Sequence, residues 1–187
     1  MAAYSFSEDF TSTNHKIWSV CLMHLMKRPD VRMLEIGSYE GKSAIWFLEN
    51  ILTGPGAGIT CVDGFWPPYG EVFDRNIALS GHAGRVQKLA GRTDEVLPRI
   101  DATFDAIYID AGHREQEVWE DAQHAWRLAK PGATVIFDDY LWQPHLPLEE
   151  RPQRAIDRFL SERGGELTLL YRGYQVIVRK RTPLGEK

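Results

Sequence analysis

The sequence predicts an α/β protein: a Rossmann-like, doubly wound, seven-stranded and mostly parallel sheet with an antiparallel C-terminal hairpin strand. Three observations predict it. Apolar runs of strand length alternate with amphipathic stretches of helical period along all 187 residues. Acidic and small residues gather just past the ends of those runs, where an open parallel sheet binds its ligands. The last two runs, 167–171 and 174–178, are separated only by Arg172-Gly173, and a parallel pair could not be joined so tightly.

Taken in order, Ile17, Cys21 and Leu25 with Trp18 and Leu22 give one apolar helix face, and Pro29 ends that helix. A first strand over 33–36 closes at Gly37. Ser43 can cap a second helix that carries Ala44, Ile45, Leu48, Ile51 and Leu52. The glycine-rich turn at 54–58 leads to a second strand over 59–62, ending at Asp63. A third helix over 72–79 precedes a strand over 86–89. The run 104–109 reads as a buried central strand ending at Asp110, and Val118, Ala122, Ala125 and Ala129 mark a long helix stopped by Lys130-Pro131-Gly132. The strand 133–137 ends at Asp138-Asp139, and Pro152 sits at the first turn of a helix bearing Ala155, Ile156, Phe159 and Leu160.

Length predicts one domain over 1–187. At 43% hydrophobic and 26% charged residues, the chain is not disordered, collagen-like or coiled-coil. Its net charge of −4 and lack of a basic stripe argue against a nucleic-acid partner; Arg179-Lys180-Arg181 reads as a solvated strand end. Cys21 and Cys61 lie in apolar runs with no CxxC spacing, which predicts buried, reduced thiols. The start MAAYSFSEDF lacks a signal-peptide core and no segment reaches membrane-spanning length, so the expectation is a cytoplasmic protein with no membrane partner.

The chemistry-bearing residues lie past the strand ends. Glu35-Ile36-Gly37-Ser38-Tyr39-Glu40-Gly41 is a strand-to-helix loop whose glycines allow a sharp turn and close approach to a ligand. Tyr39 stands where a GxGxxG dinucleotide loop needs its second glycine, which disfavours NAD. Asp63 could bind a ribose diol or cap the next segment. Thr93 and Asp94 could meet a base edge or cap the short helix through Val96. Asp110, Asp138 and Asp139 follow neighbouring strands, and three carboxylates in one crevice either raise a pKa or recruit a hard cation such as Mg²⁺ or Mn²⁺. His113 could serve there as a general base or merely orient a ligand, and Asp139 could instead pair with Arg154. Trp66-Pro67-Pro68-Tyr69 reads as a rigid aromatic loop, and Trp142 stands beside the carboxylate pair. His15, His24, His82, His124 and His145 have no partner at metal-ligand spacing.

The chain resembles the class I S-adenosylmethionine-dependent methyltransferases over essentially its whole length. Leu34 through Ser43 is similar to their first motif, and 107–113 and 130–140 to their fourth- and fifth-strand motifs. Within the class it is most similar to small bacterial macrolide-sugar O-methyltransferases of the macrocin and mycinamicin type, and more distantly to catechol O-methyltransferases. The resemblance implies S-adenosylmethionine held by Glu35, Gly37, Ser38, Tyr39, Gly41, Ser43, Asp63, Thr93, Asp94 and Asp110. It implies Mg²⁺ (or Mn²⁺) on Asp110, Asp138 and Asp139, catalysis by His113 with Asp110, and a small hydroxylated acceptor such as a sugar or natural product. The expectation is a chain without the macrolide enzymes' extra N-terminal domain. The N-terminal helix within 1–30, the loops 65–69 and 140–151, or a second copy in a homo-oligomer would therefore cover the acceptor. Three other readings stay open: a metal-independent methyltransferase, a nicotinamide-dependent oxidoreductase, and a non-catalytic cofactor-binding protein.

Overall fold

Seven strands in the order β3-β2-β1-β4-β5-β7-β6 form one sheet in the computed structural model, which describes residues 3–183. The expected limits of 1 and 187 lie outside the described residues. The elements run α1 (His15–Leu22), β1 (Arg32–Ile36), α2 (Lys42–Asn50), β2 (Gly58–Asp63), α3 (Tyr69–Ser80) and β3 (Val86–Ala90). They continue with α4 (Thr93–Val96), β4 (Phe104–Ile109), α5 (Glu115–Leu128), β5 (Ala129–Phe137), α6 (Gln153–Arg163), β6 (Leu167–Arg172) and β7 (Val176–Lys180). Among the described residues no helix is long and apolar enough to cross a membrane.

The strands are apolar on both faces because helices cover both. Met33, Ala106, Tyr108 and Ile136 join α1, α2 and α3 in one core cluster; the alternate positions Leu34, Ile107, Ile109, Val135 and Phe137 join α5 and α6 in the other. This period of two sends Tyr108 toward α1, where its ring meets Trp18 edge-on at 5.2 Å. It also sends Glu35 to the same buried face.

β7 is antiparallel to both β5 and β6, as expected. The connecting loop is longer than expected, however. Arg172 pairs with Val176, leaving Gly173, Tyr174 and Gln175 as a three-residue loop. Two further boundaries move. The first helix tightens into a 3₁₀ turn after Leu22, and β5 starts directly at Ala129. The helix thus ends before Lys130-Pro131-Gly132, which fall instead in an irregular stretch of β5, where the pairing shifts from Phe104–Ala129 to Ala106–Thr134.

β1, β4 and β5 are adjacent, so their carboxyl ends open onto one edge of the sheet. Cys21 and Cys61 are buried free thiols.

Candidate active site

The loop after β1 is held by Asp63. Its Oδ2 accepts from the backbone N–H of Ser38 (2.8 Å) and Tyr39 (2.9 Å), and its Oδ1 from that of Phe65 (2.8 Å). The sequence left Asp63 between ligand and cap. Here it caps both flanking loops and still lines a cavity with Gly37, Ser38, Tyr39, Ser43 and Asp110. Gly37 is required by the fold itself: at φ +89°, a Cβ there would lie 2.0 Å from the carbonyl oxygen of Asp110. The glycine thus serves strand-to-strand packing directly, rather than only a ligand.

Four of the expected cofactor residues do not line this cavity: Glu35, Gly41, Thr93 and Asp94. Gly41 turns the chain into α2 at φ +83°, against the Phe73 ring. Glu35 is fully buried beneath the loop, where Cys61 Sγ donates to its Oε2 at 3.5 Å and burial pushes its carboxyl up to about 7. They shape the loop from below. Thr93 and Asp94 line a second cavity with Gly64, Trp66 and Glu117; it meets the first at Gly37, Asp63 and Ala111. Asp94 also pairs with Arg92 at 2.9 Å in solvent.

A third cavity of about 570 Å³ joins the first through Phe10, Tyr39 and Asp110. It holds His113, Asp138, Asp139, Trp142 and Tyr174. Together the three make one trough along the strand ends. The chain's N-terminal segment roofs its middle. Asn76, fully buried on α3, exchanges two 2.9 Å hydrogen bonds with the Ser5 backbone, and the Ser7 N–H donates to Glu40 at 2.7 Å. These bonds set Phe6, Phe10 and Thr11 over the loop. The aromatic loop expected at 66–69 is exposed at Trp66, while the Tyr69 ring packs on Tyr39 at 4.6 Å.

The carboxylate cluster forms, but not as the expected metal site. Among the described residues no group of three or more His, Cys, Asp or Glu side chains could hold a metal ion. Protein groups contact five of the six carboxyl oxygens. Tyr108 Oη lies 2.8 Å from Asp110 Oδ2 and also contacts Asp138 Oδ2. One hydroxyl proton can be donated to only one of the two carboxyls at a time. Burial first, then mutual repulsion, pushes Asp110 well above the carboxylate range and Asp138 up to about 6. Gln175 Nε2 donates to Asp138 Oδ2 at 2.8 Å, and the Asp139 N–H donates to Asp138 Oδ1 at 2.7 Å.

Asp139 pairs with His113 and not with Arg154, whose guanidinium pairs with Glu115 at 3.4 Å. His113 Nε2 and Asp139 Oδ2 are 2.8 Å apart, and that hydrogen bond raises the histidine pKa. Where the Asp139 oxygen accepts in this bond, Nε2 carries the proton and Nδ1 is the basic nitrogen. The Trp142 ring stacks on His113 at 4.5 Å and 22°, and Tyr174 donates to Asp139 Oδ1 at 2.8 Å.

Sequence reasoning missed Tyr108, Tyr174 and Gln175 along with the roofing residues. A polar atom on Tyr108 two positions before Asp110, and a glutamine between Tyr174 and Val176 in an apolar hairpin, were the available signals.

Comparison with known proteins bears on this geometry. A family model described as a methyltransferase domain matches residues 34–140, more than half of the chain. A catechol O-methyltransferase of Mycobacterium tuberculosis is 32% identical over 111 residues, which cover 59% of this chain and 48% of that protein. An O-methyltransferase (hkm8) of Aspergillus hancockii is 31% identical over 115 residues, 62% of this chain and 44% of its own length. The chain thus spans about half the length of the curated relatives it matches. Among solved structures, an O-methyltransferase from Bacillus cereus in complex with SAH superposes with a TM-score of 0.74 at 21% identity, covering 94% of this chain and 84% of that one. The O-methyltransferase TomG from Streptomyces achromogenes, in complex with SAM, gives 0.72 at 21% identity over 94% and 82%. At that identity the likeness is one of fold.

Proposed function

The chain belongs to the methyltransferase-domain family, and on that premise we propose that it is an S-adenosylmethionine-dependent O-methyltransferase acting on a small hydroxylated acceptor. The observation that carries the reading is the continuous trough, in which the loop after β1 shares Tyr39 and Asp110 with the cavity of the His113–Asp139 pair. The solved O-methyltransferases with SAH and SAM support the choice of cofactor.

The residues fit such a ligand. The Ser38 hydroxyl is buried at the trough without a partner among the described residues, as is Glu35 Oε1 below it. Gly37, Ser38, Tyr39, Ser43 and Asp63 would hold the amino-acid and ribose parts, with Thr93 and Asp94 beside the base. S-adenosylmethionine, when bound, supplies an electrophilic methyl group on a sulfonium.

The chain's own residues then prepare the acceptor. Asp139 fixes the His113 tautomer so that Nδ1 faces the acceptor hydroxyl and takes its proton, and the carboxylate stabilises the imidazolium that results. Phe10, Tyr39, Trp142 and Tyr174 wall the cavity with rings, which keeps water from competing for the methyl group. Mg²⁺ assistance is not part of this proposal, because among the described residues no three His, Cys, Asp or Glu side chains are grouped to hold a metal ion.

Calorimetric titration with S-adenosylhomocysteine tests the first link, with micromolar affinity expected; no binding would sink the reading. His113→Ala should then lower turnover by about 10²–10⁴-fold while leaving that affinity nearly unchanged. Equal turnover in the variant would remove His113 as the base.

A further inference from the structure

Two consecutive residues of the β6–β7 loop meet the two consecutive aspartates after β5. Tyr174 Oη donates to Asp139 Oδ1 and Gln175 Nε2 to Asp138 Oδ2, each at 2.8 Å, and the Tyr140 N–H donates to the Tyr174 carbonyl at 2.9 Å between them. Gln175 is buried, 1% exposed, and its Oε1 accepts from the Trp18 indole N–H at 2.8 Å. The indole can only donate, so the amide oxygen must face Trp18 and the amide nitrogen must face Asp138. Its orientation has no alternative.

Asp139 needs such support. Its backbone lies at φ +58°, a left-handed conformation that a non-glycine residue keeps only where its surroundings over-determine it. The Tyr174 hydroxyl on one carboxylate oxygen and His113 on the other supply that constraint.

We infer that Tyr174 and Gln175 are positioning residues: the hairpin loop clasps Asp138-Asp139 and through Asp139 sets the His113 ring. This rests on the methyl-transfer reading above, but its test does not need the natural acceptor. In ¹⁵N-histidine-labelled protein loaded with S-adenosylhomocysteine, at a pH where His113 is neutral, the wild-type ring should show one tautomer protonated on Nε2. Tyr174→Phe and Asp139→Asn should both give mixed tautomers. With catechol as acceptor probe, Tyr174→Phe should lower kcat about tenfold and leave KM within about twofold, the split expected when an interaction matters only at the transition state. Combining Tyr174→Phe with Asp139→Asn should cost no more than Asp139→Asn alone, because both act through one contact. Gln175→Met, or Gln175→Glu where the Met variant does not fold, should likewise give mixed tautomers, and a wild-type tautomer in the folded variant removes Gln175 from the clasp. A wild-type tautomer in Tyr174→Phe overturns the inference even if the wild type binds S-adenosylhomocysteine. No binding by the wild type instead brings down the methyl-transfer reading itself, and this inference with it.

Discussion

Glu35 illustrates how a residue can matter to the site without touching its contents. The resemblance to the methyltransferases implied it as a cofactor contact. The pleat turns it instead to the face of Met33 and Cys61, where it is fully buried and its carboxyl is raised from 4.5 to about 7. The folded state therefore binds the proton more tightly than the unfolded one, and stability falls as pH rises from about 4.5 to 7. A displacement of this size corresponds to roughly 3 kcal/mol. Glu35→Gln should flatten the decline in the urea midpoint between pH 5 and pH 8. Asp121, also pushed up to about 7 by burial, keeps part of the slope. Identical slopes in variant and wild type would show that Glu35 stays ionised in the fold. At this scale Asp63, Asp110, His113 and Asp139 were legible, because strand ends and acidic residues are local features. Tyr108 and Gln175 were not, since their role depends on which strands become neighbours.

At the scale of elements, hydrophobic period and turn residues located the strands, and the hairpin between β6 and β7 followed from its short connection. What escaped the sequence was any segment without period. Residues 5–11 have neither a helical nor a strand pattern, yet Asn76 and Glu40 fasten them across the trough. Lys42 adds a 2.9 Å ion pair to Asp9, partly in solvent and so of minor weight. Asn76 is the stronger point, because its amide also donates to the Glu40 carbonyl at 3.0 Å and is fully buried. Asn76→Ala leaves the Ser5 backbone groups and the Glu40 carbonyl unpaired, a cost of about 1–3 kcal/mol. Release of this roof should also weaken S-adenosylhomocysteine by at least about tenfold, the equivalent of ~1.4 kcal/mol. Calorimetry on the folded variant checks it, and wild-type affinity would mean that the segment only decorates the site.

For the whole molecule, the two-faced sheet explains why chemistry collects at one edge. Both faces are filled by apolar clusters, so the strand ends are where polar side chains can converge. The charge of that edge then constrains the acceptor. Asp110, Asp138 and Asp139 line the third cavity with four aromatic rings, and among the described residues no lysine or arginine lines it and His113 is its one basic group, already paired with Asp139. An acceptor bearing its own carboxylate would bring like charge to within a few ångströms of whichever of these carboxyls are ionised, a cost on the order of 1–4 kcal/mol per charge between water-like and protein-like screening. Neutral or cationic hydroxylated molecules avoid it. Catechol should therefore exceed its carboxylated analogue, 3,4-dihydroxybenzoate, by about tenfold or more in kcat/KM at low salt, and added salt should narrow the gap. Equal values for the two, or a preference for the acid, would mean that the cavity's negative charge is neutralised in the working enzyme. The donors on Asp138 and Asp139 would then not be their only partners, and a cation at that edge would have to be sought by direct titration.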